Sequence, residues 1–112
     1  MMNQKLQSML AAAILGASIL SGVAAHAGDT VAGRARAGMC VTCHGLLGLS
    51  QAPNAPNLAG QPAIYIVAQL MSFRSGKRQH EVMNVIAKPL TDQEIDDLAA
   101  WYASIQISVT VK

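Results

Sequence analysis

Aromatic residues are scarce in this 112-residue chain, which has one Trp, two Tyr and one Phe, or 4% of the sequence. Charged residues are few as well, at 12%, whereas hydrophobic residues reach 52%. That apolar share comes from Ala, Leu, Ile, Val and Met, which excludes a disordered chain but leaves few large rings to fill a core. So small a domain needs a disulfide, a metal, a cofactor or a partner at its centre. The formal charge of +2 is too weak for a nucleic-acid footprint, and no basic run is interleaved with aromatics, so no nucleic-acid partner is expected. Repeats and low-complexity tracts are absent too, which points to a single domain.

The first segment reads as an export leader. Lys5 gives a short positive start, Met9 to Val23 is an Ala/Leu/Ile run, and Ala25-His26-Ala27 puts small residues at a cleavage position. The expected organisation is a secretory signal peptide over 1–27 and a folded domain over 28–112. An uncleaved membrane anchor is the alternative. The run is shorter than the roughly 20 residues of a spanning helix, and Gly16, Ser18, Ser21 and Gly22 interrupt it. No stable membrane insertion is expected after cleavage, and export places Cys40 and Cys43 among oxidants.

Beyond Gly28 the pattern predicts an all-α domain of three helical stretches joined by loops. The first runs from about Thr30 to the cysteines, with Gly33 and Gly38 inside it. Ser50 to Gln61 carries two prolines and paired Asn residues, which is loop chemistry, and a long loop in a small domain usually wraps something. The second helix starts near Pro62 and stops at Ser75-Gly76, with Ile66, Leu70 and Phe73 on one stripe and Ile64, Val67 and Met71 on another. The third opens with the capping box Thr91-Asp92-Gln93-Glu94, and Ile95, Leu98, Tyr102 and Ile105 form its buried face. From about residue 106 the alternation of Ile107, Val109 and Val111 with polar residues predicts an extended tail.

Cys40-Val41-Thr42-Cys43-His44 is the attachment pattern of a c-type haem: two thiols spaced for thioether bonds to the vinyl groups, and an adjacent imidazole for the iron. The same cysteines could form a redox dithiol, half of a zinc site or a plain disulfide. A thioredoxin-like dithiol needs a βαβ context, which the pattern lacks, and zinc needs four ligands where only His80 remains beyond His44 in the mature chain.

With these residues in place the sequence resembles the small monohaem class I c-type cytochromes of the bacterial periplasm. The resemblance covers the mature chain through Gly33, the Cys40 to Gly45 box and Ala55-Pro56-Asn57-Leu58-Ala59-Gly60-Gln61. It continues in Tyr65, Gln69, Leu70, Phe73, Gly76, Arg78, Met83, Leu90-Thr91, Ile95 and Leu98-Ala99-Ala100-Trp101-Tyr102. It implies a class I cytochrome c fold of three to four helices and long loops around one covalent haem c. First and last helices are then expected to cross near Gly33 and Leu98/Tyr102.

The resemblance further implies His44 and Met83 as axial ligands, because Met83 stands seven residues before Leu90, where the family pattern has its distal Met. Met39 abuts Cys40, Met71 is explained by helix packing, and His80 or an open position complete the alternatives. By the same resemblance the backbone carbonyl of Pro56 orients His44, as metal-bound histidines generally require. Arg74, Lys77, Arg78 and Lys88 bracket Met83, whereas Asp92, Glu94, Asp96 and Asp97 gather on the last helix, so a positive rim is expected to steer an acidic redox partner. The implied function is periplasmic one-electron transfer, a carrier rather than an enzyme. Its partners would be redox proteins, such as a flavoprotein subunit or a terminal oxidase. Two other readings are the haem subunit of a flavoprotein oxidoreductase such as a sulfide dehydrogenase, and a gas sensor or peroxidase with an open sixth position.

Overall fold

The structure is a computed structural model that describes residues 27–112, so the expected leader lies, except for Ala27, outside the described residues. Asp29 starts the first helix, α1 (Thr30–Arg36), by accepting hydrogen bonds from Val31 N at 2.7 Å and Ala32 N at 3.1 Å. A side-chain cap of this kind contributes about 1 kcal/mol. The expected continuous helix to the cysteines is corrected: α1 tightens at Ala37–Met39 into a 3₁₀ turn, and a separate short helix, α2 (Val41–His44), carries the second cysteine and the histidine. With Gly38 in the turn, the segment between has too little helix propensity to resist that tightening.

Pro62 precedes α3 (Ala63–Ser75), which ends at the left-handed Gly76. A further short helix, α4 (Met83–Ala87), raises the count above the three stretches expected from periodicity, because five residues are too few to show a helical repeat. The capping box of α5 (Asp92–Ser104) is formed in both directions: Thr91 Oγ1 accepts from Glu94 N at 3.1 Å, and Thr91 N donates to Glu94 Oε2 at 2.9 Å.

The core lies where α3 and α5 face each other, with Ile66 and Phe73 from one and Ile95, Leu98, Ala99 and Tyr102 from the other. Val67, placed by periodicity on the second stripe, packs against this core, while Ile64 is 81% exposed and Met71 is also exposed. Ile105 caps the end of α5 and is half-buried. Beyond it, residues 106–112 carry no regular structure, and the tail contains no strand.

Helices α1 and α5 cross at Gly33, where a β-carbon would stand 1.9 Å from Asp97 O and 2.8 Å from Trp101 Cβ. The crossing falls near Leu98 and Tyr102 as expected, with the neighbouring Asp97 and Trp101 making the closest approach to Gly33. Leu98 and Tyr102 form the ridge that faces the core, and Asp97 and Trp101 form the next ridge, which meets α1. Asp97, grouped in the sequence with the other acidic residues of the last helix, is buried there and accepts from Asp29 N at 2.7 Å and Gln93 Nε2 at 2.8 Å. It ties the start of α1 to the last helix.

Candidate functional site

A local chain of contacts assembles the site. In α2 the Cys40-to-His44 segment makes one helical turn, with His44 N bonded to Cys40 O at 2.9 Å, which gathers both thiols and the imidazole within a few residues. The long loop after it is held by backbone: Leu58 N and Ala59 N both donate to Gly48 O, at 2.7 and 3.1 Å, and Gly60 N donates to Tyr102 O at 2.9 Å. Ser50 Oγ donates to Cys43 O at 2.8 Å, and Ser50 N donates to Asn57 Oδ1 at 2.7 Å. Gly48, at φ 73°, leaves room for the Tyr102 ring, which a β-carbon would approach to 2.9 Å. Closed in this way, the loop carries Pro56 to the histidine.

His44 is buried, and its Nδ1 lies 2.8 Å from Pro56 O. A carbonyl only accepts, so Nδ1 carries the proton and Nε2 is left with the lone pair of the ring. Cys40, Cys43, His44, Pro56 and Met83 all line one cleft of about 350 Å³, within the usual range of cofactor sites. Ile66, Leu70, Phe73, Leu90 and Leu98 give it apolar walls.

The other candidate ligands fall differently. Met71 is not among the residues lining the cleft, whereas Met39 and His80 are. His80 Nδ1 accepts from Val82 N at 3.2 Å and Met83 N at 3.3 Å, so that nitrogen is engaged at the start of α4. Asn84 was not foreseen. Its side-chain amide donates to Phe73 O at 2.7 Å and Arg78 O at 2.8 Å, joining α3, the following loop and α4. These partners lie 11 and 6 residues away, so no local pattern announces the role. Of the four basic residues expected to form a positive rim, Arg74 pairs with Asp92 at 2.6 Å and donates to Leu90 O at 2.9 Å, which takes it out of that set.

The chemistry of the donor set fits a c-type haem. Neither cysteine is joined in a disulfide. Burial pushes the Cys40 thiol pKa up, opposed in part by Tyr102 and Arg36. The Tyr102 hydroxyl is buried beside that thiol without a hydrogen bond of acceptable geometry, and burial, reinforced by Cys40, holds it protonated well above the ordinary phenol range. Among the described residues no His, Cys, Asp and Glu side chains gather in threes, as a zinc site would require.

The comparisons with known proteins agree with this chemistry. The cytochrome c family model matches residues 27–106, and the chain belongs to that family. Cytochrome c4 of Pseudomonas aeruginosa is 44% identical over 90 residues, covering 80% of this chain and 45% of that protein. The thiosulfate dehydrogenase electron acceptor of Thiomonas intermedia is 36% identical, over 92% of this chain and 46% of its own length. The crystal structure of reduced recombinant cytochrome c4 from Pseudomonas stutzeri superposes with a TM-score of 0.69 at 38% identity, over 74% of this chain and 48% of that one. The chain thus spans about half the length of these relatives. The fold is the all-α class I cytochrome c fold, and membership implies a covalent haem c, for which Cys40 to His44 is the one attachment box present.

Proposed function

We propose that the chain is a one-electron carrier of the periplasm, holding its haem by thioether bonds from Cys40 and Cys43 and by axial ligation from His44 and Met83. The observation that carries this reading is the 2.8 Å contact of His44 Nδ1 with Pro56 O, in a cleft that Cys40, Cys43 and Met83 also line. When bound, the haem supplies a one-electron couple. The protein's part is positional. Pro56 fixes the tautomer and ring plane of His44 and leaves Nε2 as the ligand atom. Met83 offers a soft thioether with no proton to exchange, and the apolar walls keep water from the site. His44 and Met83 would both be given to the metal, leaving no place on it for a substrate, and the chain would relay electrons instead of catalysing a reaction.

The leader expected over 1–27 supports the periplasmic location. Similarity to a protein named for accepting electrons from thiosulfate dehydrogenase supports an oxidoreductase as the electron donor. Docking to a partner polypeptide is favoured by the exposed apolar residues Ile64, Met71, Ile107, Val109 and Val111. Size-exclusion of native extract tests it, and haem eluting only at the mass of the lone chain counts against it.

The ligand set is tested on protein from a host that attaches haem. Haem should survive acid-acetone extraction, and the ferric protein should show the near-infrared sulfur-to-iron band. Met83→Ala should abolish that band and admit carbon monoxide to the ferrous iron. Loss of all haem on extraction refutes the attachment. A band that persists in Met83→Ala refutes Met83 as the ligand.

A further inference from the structure

Asp97 is a carboxylate buried without a counter-charge. It is 8% exposed, and Oδ1 takes both of its hydrogen bonds, from Asp29 N at 2.7 Å and Gln93 Nε2 at 2.8 Å. Neither donor is charged. Among the described residues no hydrogen bond reaches Oδ2, and no cation stands within ion-pair distance of the carboxylate. The arginines of α1 are engaged elsewhere: Arg36 pairs with Glu94 at 3.0 Å, and Arg34 lies over the Trp101 ring at 5.4 Å. Buried carboxylates are generally paired, because two neutral donors do not replace the hydration that burial removes from the ion.

The strand of chain that meets Asp97 starts at the expected cleavage position. Gly28 lies flush on α5, where a β-carbon would stand 2.0 Å from Asp96 O and 2.9 Å from Ala100 Cβ, whereas Ala27 before it is exposed. Small residues are usual beside a cleavage point, but this packing gives Gly28 a second purpose, to let the chain approach the helix. The next residue, Asp29, donates its N–H to Asp97. Consecutive backbone nitrogens are at most about 3.7 Å apart, so Gly28 N lies within about 6.4 Å of Asp97 Oδ1. In the uncut chain that nitrogen is a neutral amide.

We propose that cleavage after Ala27 creates the counter-ion of Asp97. The inference rests on the leader expected over 1–27. Hydrolysis of the Ala27–Gly28 amide by a leader peptidase takes up one water and leaves a carboxylate on Ala27 and an ammonium on Gly28. Released from the peptide plane, that ammonium turns about the Gly28 backbone and donates to Asp97 Oδ2, a charge-assisted bond that closes the crossing of α1 and α5. Processing then stabilises the fold as well as releasing the chain. Asp29 is no substitute acceptor, since its Oδ1 caps α1 through Val31 N and Ala32 N. The sign of the effect is distinctive, because an ammonium just before that cap faces the positive end of α1 and, without Asp97, would be mildly unfavourable.

The test uses haem-loaded protein in three forms: beginning at Gly28, beginning at Gly28 with the α-amino group acetylated, and retaining Ala27, each with and without Asp97→Asn. The intact mass of the exported chain from its native host should place the terminus at Gly28. In guanidinium unfolding followed by circular dichroism, acetylation should raise the unfolding equilibrium constant by about tenfold, the size of a hydrogen bond to a charged group. Retaining Ala27 moves the charge one residue outward and should act in the same direction. In Asp97→Asn the three forms should unfold alike. Acetylation that leaves the wild type equally or more stable overturns the proposal, and that comparison stands even if Asp97→Asn does not accumulate. A loss that persists in Asp97→Asn overturns it too, by assigning the ammonium to Asp29 or Asp96. A native terminus other than Gly28 refutes the leader boundary itself, whereas a Gly28 terminus with no effect of acetylation refutes only the ion pair.

Discussion

Gly33→Ala tests whether the close crossing of α1 and α5 holds the domain together. A methyl group at that position would stand 1.9 Å from Asp97 O, and reaching ordinary contact at 3.4 Å requires the helices to part by about 1.5 Å. The obstacle is a carbonyl of the α5 backbone, so no rotamer change relieves it. Separation also strains the 2.7 Å bond from Asp29 N to Asp97, which joins the same two helices. Against this stands the better helix propensity of Ala, worth about 1 kcal/mol. Overpacking of a tight contact costs about 1–3 kcal/mol, and the loss of a buried charge-assisted hydrogen bond adds about 1.5–3 kcal/mol. The net is a destabilisation of about 3 kcal/mol, or a midpoint lower by roughly 15 °C for a domain of this size. Gly38→Ala is the control, because nothing stands within 4 Å of its β-carbon position. That variant should be neutral or slightly more stable. Thermal unfolding of the haem-loaded protein, followed by far-ultraviolet circular dichroism, reads both. Gly33→Ala unfolding at or above the wild-type midpoint would refute the reasoning, since the propensity gain would then exceed the cost of the crossing.

Asp97→Ala removes the acceptor of Asp29 N and Gln93 Nε2, and guanidinium unfolding should show a loss of about 1–3 kcal/mol. Thr91→Ala breaks the capping box of α5 and should cost about 1 kcal/mol in the same assay, with little effect on the visible spectrum. Tyr102 gives a pH signature. Its phenol is held above the ordinary value of 10.0 by burial, so the unfolded chain releases this proton first as pH rises. The stability this group contributes is complete below that ordinary value and falls above it, by about 1.4 kcal/mol per pH unit until the folded protein also ionises. Tyr102→Phe should remove this component of the alkaline loss, which unfolding curves collected on either side of pH 10 would measure.

The sequence by itself determined what depends on neighbours a few positions apart. Cys40, Cys43 and His44 come together through one helical turn, the Thr91-to-Glu94 box begins α5, and Pro62 and Gly76 bound α3. The apolar spacing of Ile66 and Phe73, and of Ile95, Leu98 and Tyr102, marks the faces that are buried. Each of these follows from backbone geometry and local propensity, which the residues carry wherever the chain goes. Only the tertiary structure decided which ridge of α5 meets Gly33, that Asp97 is buried, that Arg74 is held by Asp92, and that Asn84 fastens Met83's helix to Arg78. Asp97 and Asp29 are 68 residues apart, and Arg74 and Asp92 are 18 apart. In sequence such residues look like surface charges, because the same side chain is solvated or buried according to what the rest of the fold lays against it. The contact of His44 with Pro56 stands between the two cases. Its 12-residue separation lies within one loop, yet it forms only because Gly48, Ser50 and Tyr102 close that loop against α5.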